Sequence, residues 1–208
     1  FRFYNSENDK QNVIATSTIS IFWSTIFFLF GALIFRESLA SYANVDVQYI
    51  TYSIWILALD ALVIIPFSKL RANQRPMRYA VIKIGNVMVN LILNIFFLVY
   101  LPQLAADNPH SFMDNLYVEN SEIAYIFIAN LLASLLTLVV LSPNYLSLNR
   151  KFDKVLWKKM MKYGLPILVA GIAFAINEHF DKILLGYLLP ENIAKSEVGA
   201  YSACYKLG

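Results

Sequence analysis

One carboxylate stands in the middle of a long apolar run, where ionised side chains are rare. Asp60 is surrounded by aliphatic residues over positions 56–64, and no Lys or Arg lies within one helical turn of it. An ionisable side chain at mid-helix in a bilayer is costly, so it usually faces a cavity or a partner on another helix. We interpret Asp60 either as a cation- or proton-binding group lining a cavity or as a structural hydrogen-bonding group between helices.

A second polar group interrupts an apolar run near the end of the chain. Asn177 and Asp181 are four residues apart and therefore share one helix face. Glu178 precedes Lys182 by the same spacing, in the order that favours an ion pair on a helix. We predict that Glu178 and Lys182 form a structural ion pair and that Asp181 is a second candidate for coupling to a cation or proton. Metal binding by His179 is not expected, because no His or Cys accompanies it at ligand spacing.

Amide side chains recur at every fourth position of another apolar run and continue a polar stripe that begins with a lysine. The members of this stripe are Lys83, Asn86, Asn90 and Asn94, and the next run carries Asn130, Ser134 and Thr137. Such side chains either join helices by hydrogen bonds or line a hydrated cavity. A lysine beside the cavity would suit a phosphate group. Both interpretations stay open, and the lysine and the four asparagines are candidates for a substrate cavity.

The sequence lacks the motifs of several enzyme classes. It has no Gly-rich nucleotide-binding loop, which argues against ATP hydrolysis. His110 and His179 are the only histidines and Cys204 is the only cysteine, so neither a Ser-His-Asp set nor a metal cluster is expected. We expect no catalytic residue, no metal, no cofactor and no nucleic-acid partner.

Long apolar segments must position these polar groups. Of the 208 residues, 58% are hydrophobic and 15% are charged, whereas soluble domains carry about 25% charged residues. Five segments approach the ~20 residues that cross a bilayer as a helix. They cover residues 13–35, 49–67, 79–100, 123–141 and 164–188, with Pro66 ending the second, and a sixth begins near residue 198. Thr16, Ser20 and Ser24 in the first are interpreted as packing residues. The composition predicts an all-α membrane protein.

The distribution of Lys and Arg between the segments predicts the orientation. Loops 68–78 and 143–162 are basic, whereas loop 101–122 has no Lys or Arg and loop 36–48 has one Arg. Because cytoplasmic loops carry the excess of Lys and Arg, we place the two basic loops in the cytoplasm and the other two in the periplasm.

The second basic loop also contains an amphipathic segment. Phe152, Val155, Leu156 and Met160 form an apolar stripe with lysines around it. Such a helix lies among lipid headgroups, where anionic lipid attracts the lysines. A plain cytoplasmic linker whose charges only set the orientation is the alternative.

Several stretches of the sequence resemble a known family. They cover residues 65–76, 78–84, 163–171, 177–185 and 198–206, and residues 1–4 look like the cytoplasmic end of the family's second helix. In order and spacing the chain resembles the polysaccharide (O-antigen type) flippases of the multidrug/oligosaccharidyl-lipid/polysaccharide (MOP) exporter superfamily, over essentially all of its length.

The resemblance implies a fold and a division of the chain. The expected fold is a partial MATE-like transmembrane helix bundle. Residues 1–142 would hold the end of helix 2 and helices 3–6 of the N-terminal lobe. Residues 143–162 would form the cytoplasmic linker, and residues 163–208 would form helix 7 and the beginning of helix 8. The absence of an initial Met and the end at Gly208 within a predicted helix suggest a fragment.

The resemblance also implies a function in the bacterial inner membrane. Such a transporter flips a polyprenyl-diphosphate-linked oligosaccharide from the cytoplasmic to the periplasmic leaflet by alternating access, in polysaccharide or lipopolysaccharide biosynthesis. Lys83 and Arg2 would neutralise the diphosphate, and Asp60 and Asp181 would couple a cation or proton gradient. The expected partners are the lipid bilayer, the lipid-linked glycan and the coupling ion.

Three alternatives remain. A MATE-type drug or cation exporter would need an acidic cavity, against which Lys83 argues. A membrane enzyme of polysaccharide assembly would need Arg or His in an extracytoplasmic loop, and loop 101–122 offers only His110. A purely structural membrane scaffold would not need Asp60 at mid-membrane.

Overall fold

The computed structural model describes residues 2–7, 9–107, 117–118, 121–146 and 151–205, and every regular element in these ranges is a helix. The helices are α1 (Arg2–Ser6), α2 (Lys10–Ile34), α3 (Arg36–Ala43), α4 (Val47–Ala72), α5 (Pro76–Ile95), α6 (Leu101–Asp107), α7 (Glu122–Leu141), α8 (Pro143–Leu146), α9 (Lys154–Leu188) and α10 (Glu191–Tyr205). A π-helical turn, Phe96–Tyr100, joins α5 to α6.

The five predicted spans are confirmed as helices long and apolar enough to cross a membrane. These are Lys10–Ile34, Val47–Ala72, Pro76–Ala105, Glu122–Leu141 and Lys154–Leu188. All five are longer than the sequence suggests, and α10 begins well before residue 198. His110 lies outside the described residues, as does half of the predicted loop 101–122. An all-α membrane helix bundle is therefore the fold class.

The prediction that the second span ends at Pro66 is wrong, because α4 continues to Ala72. A proline within a helix has no N–H for the carbonyl four residues earlier, here that of Leu62. The Tyr145 hydroxyl donates to this carbonyl. Burial raises the pKa of Tyr145 to about 12, so at neutral pH the phenol is protonated and can donate. Tyr145 of α8 thus donates a hydrogen bond to the Leu62 carbonyl, which Pro66 leaves without its usual helical donor.

This contact predicts a conditional effect on stability. Tyr145→Phe should lower the free energy of unfolding by about 1–3 kcal/mol, because a partly buried carbonyl loses its donor. In a Pro66→Ala background the helix regains its own N–H, so Tyr145→Phe should cost much less. Unfolding of the four proteins in detergent gives the coupling energy. A cost that is the same in both backgrounds would contradict the assigned role.

The structure divides into two compact units, residues 1–157 and residues 158–208. In the first, α7 packs against both α4 and α5. One apolar cluster joins Val63, Phe67 and Leu70 of α4 to Leu141 of α7. A second joins Phe97 and Leu101 to Tyr125 and Ala129 of α7, with the Phe97 and Tyr125 rings stacked at 5.5 Å between centroids. Both clusters hold α7 beside the polar stripe of α5.

Polar contacts attach the beginning of α9 to α2. Asp153 caps α9, because its Oδ1 accepts from the backbone N–H groups of Val155 and Leu156 at 2.9 and 3.0 Å. Its Oδ2 accepts from Asn12 Nδ2 at 3.2 Å. The Asp153 backbone N–H donates to the fully buried hydroxyl of Thr16 at 3.2 Å.

One more contact extends this attachment, as Trp157 Nε1 donates to Ser20 Oγ at 2.9 Å. Thr16 and Ser20, interpreted from the sequence as packing residues, therefore bind the linker. The linker and the fifth span share one helix, whereas the sequence suggests a division at residue 162. Within the predicted apolar stripe Leu156 is buried, and Phe152 and Val155 are exposed.

In the second unit, α10 follows α9 after the short connection at residues 189–190. The Tyr201 hydroxyl of α10 donates to Asp181 Oδ2 of α9 at 3.3 Å. The two helices border an open cavity of about 880 Å³, whose lining includes Lys182, Gly186 and Ser202.

Candidate functional site

A cavity on the α4–α5 side of the first unit brings together two side chains that the sequence singles out separately. It measures about 430 Å³, and its lining includes Asp60 from α4 and Lys83 from α5. The rest of the lining is Leu57, Ala61, Val63, Ile64, Phe67, Arg71 and Tyr79. Arg71 was not predicted as a site residue, since the sequence treats it only as one of the basic residues that set the orientation.

Two aromatic rings support the two cations of this cavity. Lys83 Nζ lies 5.8 Å from the ring centroid of Phe67. Arg71 Cζ lies 5.2 Å from the ring centroid of Tyr79. The rings themselves pack edge to face, with centroids 5.4 Å apart and an interplanar angle of 79°. Cations within about 6 Å of a ring centroid are attracted to the face of the ring. The aromatic pair therefore gives each cation a preferred position.

Asp60 lines the cavity and also bonds to the neighbouring helix. The Ser134 hydroxyl of α7 donates to Asp60 Oδ1 at 2.8 Å. Ser134 is buried, whereas the side chain of Asp60 is exposed on the surface of the described bundle. The structure therefore combines the two arrangements considered for this residue, an interhelical hydrogen bond and a place in a cavity wall. Cation or proton binding by Asp60 stays a prediction.

The asparagines of α5 bond to one another and to α7. Asn86 Nδ2 donates to Thr137 Oγ1 at 2.9 Å, and Asn90 Nδ2 donates to Asn130 Oδ1 at 3.3 Å. Asn94 Nδ2 donates to Asn90 Oδ1 at 2.6 Å. The polar stripe thus joins two helices through its side chains.

The same asparagines of α5 also line a third cavity, of about 230 Å³. Asn94 Oδ1 is buried and has no hydrogen-bond partner among the described residues. The stripe therefore has both properties that its spacing suggests, because it connects helices and it borders open space. A role in substrate binding stays a prediction.

The remaining predicted site residues lie elsewhere. Arg2 is exposed on α1 and is not part of the Asp60–Lys83 cavity lining. Asp181, Glu178 and Lys182 belong to the second unit. There Asp181 accepts the hydrogen bond from Tyr201, and the Glu178–Lys182 ion pair stays a prediction. In the described part of the chain, no group of three or more His, Cys, Asp or Glu side chains could hold a metal ion.

The charges of the Asp60–Lys83 cavity favour an anion at one end. Its two cations, Arg71 and Lys83, accompany a single carboxylate, Asp60. The guanidinium presents several donors in one plane, and the ammonium presents three donors as a point charge. Both bind phosphate oxygens well. The arrangement can neutralise a multiply charged anionic group beside an apolar wall.

Five helices able to cross a membrane, with polar cavities beside them, define a multi-pass α-helical membrane protein. The chain belongs to the polysaccharide biosynthesis protein family, whose model matches residues 3–208. This match confirms the resemblance to the MOP-superfamily polysaccharide flippases and gives the chain a role in polysaccharide biosynthesis. Comparison with curated proteins and with solved structures gives no match.

Proposed function

We propose that this chain belongs to a transporter that flips a polyprenyl-diphosphate-linked oligosaccharide from the cytoplasmic to the periplasmic leaflet of the bacterial inner membrane. The observation that carries this proposal is the cavity between α4 and α5, where Lys83 and Arg71 lie beside an apolar wall. A glycan-lipid carrier has a diphosphate and a hydrocarbon chain, which match these two surfaces. The family gives the context of polysaccharide biosynthesis.

In transport by alternating access, the polar groups would act one after another. The cations neutralise the diphosphate, which lowers the cost of moving it out of water. The amides of Asn90 and Asn130 offer donors and acceptors to sugar hydroxyls, and the lipid tail remains in the bilayer. Asp60 and Asp181 are the carboxylates that could couple the cycle to a cation or proton gradient. Movement of one lobe against the other then presents the head group to the periplasm.

The rival functions fit the same residues less well. A drug or cation exporter binds cations, which two basic side chains in one cavity would repel. A membrane enzyme of polysaccharide assembly needs acid–base or nucleophilic groups placed together. Among the described residues, the Asp60–Lys83 cavity contains one carboxylate and no His, Ser or Cys.

The proposal predicts a severe transport defect for Lys83→Ala in the full-length protein. Losing a charged contact to the diphosphate worth about 1.5–3 kcal/mol should lower export about 10–100-fold, while expression stays normal. Export of lipid-linked sugar is measured in cells that depend on this transporter.

Lys83→Arg should retain much of the export, because it preserves the positive charge. Lys158→Ala is the matched control, since it removes an exposed lysine of α9 outside this cavity. Wild-type export by the Lys83→Ala protein would remove Lys83 from the mechanism and the main support for the proposal.

A further inference from the structure

The connection between the first two spans contains a helix that the proposed transport mechanism does not use. This helix is α3, Arg36–Ala43, which lies within the predicted loop 36–48. Only Phe35 separates it from α2, and the Leu39 backbone N–H donates to the Phe35 carbonyl at 2.9 Å, so Phe35 begins its first turn. At the other end Asn44 adopts the left-handed conformation, with a φ of 52°, which is a common way to end a helix. The segment is therefore a defined element with faces of its own.

The lengths of the flanking spans place α3 at the membrane surface. α2 has 25 residues and α4 has 26, which corresponds to about 37–39 Å along each helix axis. The hydrocarbon core of a bilayer is about 30 Å thick. The end of α2 and the beginning of α4 therefore reach the headgroup region, and α3 joins them there, packed against both helices. The orientation proposed from the basic loops makes this the periplasmic side.

One side of α3 presents an apolar stripe. Phe35, Leu39 and Tyr42 are spaced by four and three residues and therefore share one face. All three side chains are exposed, Tyr42 to 91%. Ala40, by contrast, is only 2% exposed, and it lies about 100° or more around the helix from each of them. The stripe therefore belongs to a different side of α3 from the one that packs on α4.

The polar side of α3 carries no excess of either charge. Arg36 and Glu37 are the charged residues of this helix, and their charges cancel. Glu37 and Ser41 are exposed and lie about 100° or more from the stripe. Membrane binding by an amphipathic helix depends on buried apolar area and on attraction to anionic lipid. Without net charge, α3 has only the apolar contribution, and Tyr42 is of a residue type enriched at headgroup level.

The apolar stripe continues a surface of the first span. The exposed side chains that share one face of α2 are Trp23, Phe27, Phe30 and Ile34. Phe35 follows Ile34 directly, so the exposed apolar surface passes from α2 to α3 without a polar gap. A contiguous surface of this kind marks a contact with another protein or with a membrane. Its continuity with a membrane-spanning helix favours the membrane.

We infer that α3 is a membrane-surface helix that binds the periplasmic leaflet, with Phe35, Leu39 and Tyr42 inserted among the lipids. Glu37 and Ser41 face the water. Because α3 packs against α4, this contact holds the periplasmic end of α4 at a fixed depth. The inference rests on the spans and their orientation and does not depend on flipping.

Spin-label accessibility in liposomes tests this arrangement. The full-length protein, with its cysteines including Cys204 replaced by serine, receives one nitroxide at a time through Leu39→Cys, Tyr42→Cys or the matched control Ser41→Cys. Labels among lipid chains collide with dissolved oxygen, whereas labels in water collide with a polar nickel chelate. In phosphatidylcholine liposomes, the ratio of oxygen to nickel accessibility should be several-fold higher at positions 39 and 42 than at position 41.

Each other pattern of accessibility contradicts the inference. Equal ratios at the three positions would show that the stripe faces water. Low accessibility to both reagents at positions 39 and 42 would show that protein, from another helix or a second copy, covers the stripe. A difference that requires phosphatidylglycerol in the liposomes would replace the apolar contact with an ionic one.

The leaflet is tested separately in spheroplasts. Ser41→Cys should react with a membrane-impermeant maleimide before lysis, whereas reaction only after lysis would place α3 on the cytoplasmic side and overturn the assigned leaflet. Neither measurement involves transport. Failure of this inference is therefore distinguishable from failure of the proposed function, which the export by Lys83→Ala tests.

Discussion

Full-length protein with Asp60→Asn should fold normally but lose most of its transport. Asparagine keeps an oxygen that can accept the hydrogen bond from Ser134, so the contact between α4 and α7 is preserved. It removes the negative charge and the ability to bind a proton. If that charge couples transport to a cation or proton, losing an interaction of about 1.5–3 kcal/mol should slow export about 10–100-fold.

Ser134→Ala provides the complementary variant for Asp60. It removes the hydrogen bond but leaves the carboxylate in the cavity wall, so export should fall much less than with Asp60→Asn. Export is measured as a function of external pH and Na⁺, together with melting temperature in detergent. Wild-type export by Asp60→Asn, combined with a defect in Ser134→Ala, would assign Asp60 a structural role.

Asp153→Ala should destabilise the first unit by more than the loss of a helix cap alone. Removing an N-cap costs about 0.5–2 kcal/mol. Asp153 also accepts from Asn12 of α2, and a hydrogen bond to a charged group contributes about 1.5–3 kcal/mol. We therefore expect a total loss of about 2–4 kcal/mol, measured by unfolding in detergent.

Asp46→Ala separates the two contributions at Asp153. Asp46 caps α4 by accepting from the backbone N–H of Gln48 at 2.9 Å. It is exposed, so it reports the cost of a cap alone. Asp153→Asn should lose little, because asparagine is a good N-cap and keeps an acceptor for Asn12. Equal losses for the Asp153 and Asp46 variants would show that the link between α9 and α2 contributes no stability.

The apolar spans were predictable from the sequence, whereas the end of α4 was not. Membrane-spanning helices need long stretches of apolar residues, and the hydrophobicity of a stretch is a local property of the sequence. Where α4 passes through Pro66, Tyr145 donates to the Leu62 carbonyl, and these two positions are 83 residues apart. No local pattern identifies this donor.

Most residues of the candidate site could be predicted from the sequence, but their arrangement in space could not. Asp60 and Lys83 stood out because charges inside apolar runs are costly. Asp60 and Lys83 line one cavity because α4 packs against α5. The residue pattern of either apolar run alone does not predict that packing. Arg71 did not stand out, because an arginine among other basic residues at a helix end is common. Its contact with Tyr79 and its place in the cavity lining distinguish it in the structure.

The asparagine stripe shows the same limit. Its four-residue spacing predicts a shared face, and the structure places Asn86 and Asn90 in contact with α7. The spacing could not show that the amides bond to α7 and border a cavity together. Thr16 and Ser20 likewise look like packing residues until the linker supplies Asp153 and Trp157 as partners.

The π-helical turn at Phe96–Tyr100 has a consequence for the angular phase of the third span. In an α-helix each residue advances by about 100°, and a π turn accommodates one additional residue. The amide half before the turn is therefore out of phase with the residues from Phe97 to Leu101, although both face α7. Deleting one residue of this turn would restore α-helical phase and rotate Phe97 and Leu101 away from Tyr125. The wide turn thus lets α7 contact two surfaces of the third span that differ in angular phase.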